Sequence, residues 1–175
     1  MKNKRGQIWI ETVLYTLIGI ALIGLVLGFA MPRISEARDK SIVEQTIQSM
    51  NVFDGKISEI LDKGAGNTRY VDLLIKRGAF YVNSSANSLI FILTGLGKPY
   101  SEVGVNINVG QIDLITEKMQ TDYKVILALN YSKQGINITY NGEEKEAKAD
   151  IAPTPHRFLL ENRGSEVIDV REVSQ

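Results

Sequence analysis

The sequence contains no cysteine, which excludes disulfides, thiolate nucleophiles and cysteine-held metals and leaves the redox compartment undetermined. It has one histidine, His156, too few for a multi-histidine metal site. Net charge is absent too: 20 basic and 20 acidic side chains cancel, so no overall basic field points to a nucleic-acid partner. The common catalytic signatures are missing, with no G-x-S-x-G, P-loop, H-E-x-x-H or Rossmann fingerprint. The acids Asp113, Glu117, Asp122, Glu143, Glu144 and Glu146 lack the regular oxygen spacing of a calcium loop. The sequence nominates no catalytic residue, no cofactor and no metal site, and the expectation is a protein that is not an enzyme. No internal repeat or low-complexity tract is present.

Charge is missing locally as well, and this absence organises the chain. From Thr12 to Met31 no residue is charged. Twenty such residues as a helix rise about 30 Å, the thickness of a bilayer's hydrocarbon core. All three charges in residues 1–6, Lys2, Lys4 and Arg5, are basic. That asymmetry places residues 1–6 in the cytoplasm and the bulk of the chain outside. A secretory signal peptide has a shorter apolar region, about 7–15 residues, followed by a small-residue cleavage site. Here the run ends in Phe29-Ala30-Met31-Pro32-Arg33 without a small-x-small pair.

Glu11 is not explained by a plain anchor. A carboxylate inside a bilayer costs about 2.5–3.5 kcal/mol on insertion scales, less near the interface. Two readings stay open: an interfacial acid reaching headgroups, or an acid whose partner cation lies outside its own helix. Cleavage after Gly6 would create a positive α-amine at Gln7. Supplied by a neighbouring subunit, that amine would pair with Glu11 in an apolar core, where such a pair sets register more surely than it adds stability.

The stretch Lys4-Arg5-Gly6-Gln7-Ile8-Trp9-Ile10-Glu11, followed by the apolar run, resembles the class III signal peptide of archaeal type IV pilin precursors. The resemblance covers about 25 residues and implies that a prepilin peptidase cuts between Gly6 and Gln7. It implies that the apolar segment stays on the mature subunit as filament core, with Glu11 as the fifth residue. The family often has serine where this chain has Trp9 and leucine where it has Tyr15.

Gly24 and Gly28 form a G-x-x-x-G pair, the kind of small-residue step that lets apolar helices approach closely, although membrane helices also carry more glycine in general. Pro32 lacks an N–H and crowds the preceding turn, so it should loosen the helix or mark its exit from the membrane. Beyond it Ile34, Ala37, Ile42, Val43, Ile47, Met50, Phe53, Ile57, Ile60 and Leu61 recur at three- and four-residue steps. One long helix over residues 8–61 is expected, stopping at Lys63-Gly64-Ala65-Gly66. Residues 67–78 are ambiguous. Strands are expected at 79–82, 88–94, 103–109, 123–131 and 136–140, with Asn141-Gly142 as a tight turn. Glu143–Lys148 reads as a solvated charge run, Ala152-Pro153-Thr154-Pro155 as a stiff connector, and 157–161 with 167–171 as a last hairpin about Asn162-Arg163-Gly164.

The fold class expected is α+β: a long N-terminal helix on one mostly antiparallel sheet of five to seven strands. The organisation expected is a leader at 1–6, an apolar helix at 7–32, its amphipathic half at 33–63 and an extracytoplasmic β-rich head at 64–175. Three Asn-x-Ser/Thr sequons, at Asn83, Asn130 and Asn137, are candidate glycosylation sites, with Asn83 favoured because it falls in a loop. The function expected is a homo-oligomeric adhesive surface filament. Its precursor would sit in the membrane, be cut by a prepilin peptidase and join a pilus assembly machinery without nucleic acid. The alternative is an uncleaved single-span protein with an exterior binding domain.

Overall fold

A computed structural model of the chain describes residues 4–73, 77–149 and 156–173. The expected connector at 152–155 and residues 74–76 of the ambiguous stretch 67–78 lie outside the described residues. A single helix, α1, runs from Lys4 to Lys63. The chain divides into two units, one ending at Arg38 and the other beginning at Asp39, so the boundary falls within α1.

In the second unit the α1 residues Ile42, Val43, Ile47, Met50, Phe53, Ile57 and Ile60 are buried. Their three- and four-residue spacing lines one helix face, which is the expected amphipathic stripe. The helix ends at Gly64, which adopts φ +83° and whose N–H reaches back to the Leu61 carbonyl at 3.1 Å. The side-chain amide of Asn67 donates to the Lys63 and Gly64 carbonyls at 2.8 and 3.0 Å, satisfying groups the helix leaves open.

Ten strands follow among the described residues: β1 Thr68–Leu73, β2 Ala79–Asn83, β3 Ser88–Leu96, β4 Asn106–Val109, β5 Ile112–Lys118, β6 Tyr123–Asn130, β7 Asn137–Tyr140, β8 Glu146–Ala149, β9 His156–Gly164 and β10 Val167–Val173. They form two sheets, in the orders β4-β5-β6-β3-β2-β8 and β1-β9-β10-β7. Strands β10 and β7 run parallel, and the other named pairs are antiparallel. The α+β class is as expected. The single sheet is corrected to two, because β1 pairs with β9, far along the chain, rather than with β2.

The layers meet at phenylalanines. Phe53 of α1, Phe80 of the six-stranded sheet and Phe158 of the four-stranded sheet stand 5.3–5.9 Å apart, ring centre to ring centre. All three are at most 1% exposed. Phe91 extends the cluster, 6.3 Å from Phe80. Such tilted and edge-on pairs add about 0.5–1.5 kcal/mol each to the burial itself.

Polar contacts fix the layers in register. Asp39, the first residue of the second unit, accepts the Gly97 N–H at 2.8 Å and pairs with Arg77 at 3.2 Å. The buried Tyr131 hydroxyl donates to Asp54 of α1 at 3.0 Å. Asn162, expected in a turn, lies within β9 and is buried; its amide donates to the Ile60 carbonyl at 3.0 Å. Asp169 is fully buried and accepts Thr139 Oγ1 at 2.8 Å and the Gly142 N–H at 2.6 Å. Its other oxygen takes Arg163 Nη2 at 3.0 Å. Arg171 Nε lies 3.1 Å from that oxygen, close enough for ionic attraction but not aimed as a hydrogen bond.

Truncating Phe53 to alanine should destabilise the second unit by about 3–5 kcal/mol, a large part of a typical domain's 5–15 kcal/mol. Denaturant unfolding of purified full-length protein, followed by circular dichroism, checks this. A second expectation concerns acid. Glu59 of α1 accepts hydrogen bonds from Arg69 of β1 and from Lys56, and these hold its carboxyl at about 2 instead of the ordinary 4.5. A lowered folded value means stability present above about pH 4.5 that is lost as pH falls toward 2. Glu59→Gln should therefore narrow the stability difference between pH 6 and pH 3, read from thermal melts at the two values.

Candidate assembly site on the N-terminal helix

The first unit gives the apolar run no interior. The helix is long and apolar enough to cross a membrane, and none of its most apolar 18-residue window is buried. Trp9 is 71% exposed and Phe29 75%. Leu14, Leu17, Ile20, Leu22, Ile23, Leu25 and Val26 are exposed in between. These positions go all round the helix, unlike the one-sided stripe further along. In water, so much contiguous apolar surface marks an interaction site.

The polar atoms of the run are compatible with an apolar surround. Thr16 Oγ1 donates to the Thr12 carbonyl one turn back at 2.8 Å, so its hydroxyl is satisfied within the helix. Glu11 is exposed in the second turn after the Gly6–Gln7 bond. That bond lies within α1, while the Gln7 side chain is outside the described residues. Between Trp9 and Met31 Glu11 is the sole acid, and no Lys or Arg occurs.

Gly24 and Gly28 share one face, about 40° apart at about 100° per residue. A Cβ built at either, or at Gly19, meets nothing within 4 Å among the described residues. The chain's own packing therefore does not require glycine there, although glycine costs a helix about 1 kcal/mol relative to alanine. Membrane-crossing helices carry glycine more often than soluble ones, and glycines on one face also let another helix approach closely. Pro32 is inside α1, and residues on both sides of it remain helical. What proline removes is the N–H that would bond the Gly28 carbonyl, leaving an acceptor beside the glycine face.

The sequon asparagines gather around the turn between β2 and β3. Asn83, expected in a loop, is instead the last residue of β2, paired with Ser88 and Glu146; its amide donates to Glu146 at 2.6 Å and its oxygen accepts the Ala86 N–H at 2.9 Å. Asn130 is exposed and its oxygen accepts the Ser132 N–H at 3.0 Å. Asn137 is exposed, and its oxygen accepts Asn87 Nδ2 at 3.2 Å. His156 pairs with Glu172 at 2.6 Å. Among the described residues no group of acids and histidine is arranged to hold a metal ion.

No protein-family model, curated protein or solved structure matches this chain.

The free space at the glycines makes a separable prediction. Gly24→Leu with Gly28→Leu should leave helix content and membrane insertion of the single chain unchanged or slightly raised. Helix–helix association should fall at least tenfold. Circular dichroism in detergent and energy transfer between labelled chains in vesicles measure the two effects.

Proposed function

We propose that this chain is the structural subunit of a surface filament of the archaeal type IV pilus kind, inserted in the membrane as a precursor and assembled through its N-terminal helix. The observation that carries this reading is the apolar helix exposed on all sides. It is fitted for lipid first and for neighbouring helices afterwards. Glu11 lies about 140° around the helix from Gly24 and about 100° from Gly28, taking about 100° per residue. A neighbour that neutralises Glu11 is therefore not the neighbour that closes on the glycines. Two separate contact faces on one helix suit an open, repeating assembly better than an isolated pair.

In this reading prepilin peptidase cuts between Gly6 and Gln7, and the new Gln7 amine of one subunit meets Glu11 of the next. The head supplies the outward surface used in adhesion. The uncleaved single-span protein needs the same membrane-length helix and would leave Glu11 as an interfacial acid among headgroups.

Intact mass of the protein from its native cells should correspond to a chain beginning at Gln7. Glu11→Ala should insert into the membrane normally and fail to appear in sheared filaments, at less than about a tenth of the wild-type yield. A mass retaining residues 1–6, together with normal surface behaviour of Glu11→Ala, would sink the filament and favour the anchored exterior domain.

A further inference from the structure

The six-stranded sheet buries one face in the core and presents the other outward. Antiparallel sheets of this kind usually alternate apolar-in with polar-out. Here the outward face departs from that rule at its centre. Strand register lines up Ile115, Ile126, Ile92 and Ala79 in one row across β5, β6, β3 and β2. The next row reads Asn108, Asp113, Ala128, Ile90, Tyr81 and Lys148, from β4 to β8, with Asn108 Nδ2 donating to Asp113 at 2.7 Å. The apolar members of both rows are only half-buried. Polar rows flank them: Asn130, Ser88, Asn83 and Glu146 on one side, the Glu117–Lys124 ion pair at 2.7 Å on the other.

The pattern is complementary to itself. A half-turn about a line along β3, bringing a second copy face to face, exchanges β6 with β2 and β5 with β8. Tyr81 then meets Ala128 and Ile126 meets Ala79, large against small at each contact. Ile90 and Ile92 meet their own copies near the axis. Asp113 of β5, which keeps one oxygen on Asn108, meets Lys148 of β8, twice per pair. A half-turn about the perpendicular in-plane axis would oppose like to like and gain none of this.

We propose that the outward face of the six-stranded sheet is a homotypic docking surface, pairing the heads of two copies of this chain back to back about β3. The half-turn overlaps five strands, β5 to β8; at about 4.8 Å each and roughly seven residues at about 3.4 Å they bound the contact at about 570 Å². That is below the roughly 800 Å² per partner of a standard stable interface. The pairing is accordingly weak in free solution and is promoted where heads are held close, on a membrane or on adjacent filaments. A two-fold contact closes on itself, so it joins two heads and does not extend a polymer; it stands independently of the filament reading.

The absence of cysteine makes the test clean, since a single introduced thiol is unique. Full-length Ile92→Cys in membranes is treated with a bismaleimide reaching about 10 Å, the spacing of packed sheets and too far for a direct disulfide. A covalent dimer is expected from Ile92→Cys but not from Tyr70→Cys, which is 61% exposed on the other sheet. Adding Asp113→Lys or Lys148→Asp alone should cut the yield at least fivefold, and adding both should restore it. Equal dimer from Tyr70→Cys, no dimer from Ile92→Cys, or no restoration by the double reversal would overturn the proposal. Repeating the assay in Glu11→Ala separates the two ideas, because head pairing persists there whether or not filaments form.

Discussion

The contact among Phe53, Phe80 and Phe158 is the constraint on which the second unit depends. Neither sheet can bury its inward face alone, and the helix supplies the third wall at one position that touches both. From Phe53 the buried stripe of α1 extends to Ile42 in one direction and Ile60 in the other. Asp39 ends it on the N-terminal side by binding Gly97 and Arg77. The same residue types continue beyond that clamp, yet their surroundings change. From Asp39 onward the helix's apolar residues find an interior made by their own chain. From Thr12 to Met31 the apolar surface goes all round the helix and lies uncovered by the described residues of its own chain.

Hydrophobic burial brings layers together without fixing their register; the buried polar groups do that. Asn162 is the best case, since a strand residue completes the end of the helix by taking the Ile60 carbonyl. Its backbone N–H meanwhile bonds the Asn67 carbonyl. Slipping β9 by one residue would bury that amide without partners, at a cost of about 1–3 kcal/mol. Asp169 acts similarly on the parallel pair β7–β10, holding Thr139 and the Asn141-Gly142 turn at once. Two arginines share its charge, which a carboxylate this deeply placed requires.

Local signals carried much of this architecture. The three-to-four spacing after Pro32 marked the helix, Lys63-Gly64 marked its end, and Asn141-Gly142 marked a turn with both residues at positive φ. What local pattern could not show was partnership. The run at 68–73 is a strand because β9 pairs with it, and no feature of those six residues announces that. Strands β5 and β8 were hidden by outward-facing charge. Glu117 and Lys118 obscure the buried Ile112, Leu114 and Thr116, and β8 occupies the end of what reads as a solvated charge run. The expected strand at 103–109 is shorter, beginning at Asn106, with Val103 and Val105 exposed before it. For the assembly site the balance is reversed: Gly6, Gln7, Glu11, Gly24, Gly28 and Pro32 form a linear pattern, readable without any fold. The outward sheet face needed register first, although Ser88–Thr94 and Tyr123–Tyr131, apolar on both faces, already held the signal.

The two candidate surfaces differ in the symmetry their chemistry permits. On the stem, the proposed contact of one subunit's Gln7 amine with the next subunit's Glu11 joins unlike surfaces. Unlike surfaces repeat indefinitely unless geometry closes them. On the sheet, Asp113 and Lys148 stand in one row two strands either side of β3, and large residues mirror small ones about β3. Such a surface recognises its own copy and is then used up. A chain carrying both could polymerise by one and link by the other without competition, because neither contact occupies the residues of the other.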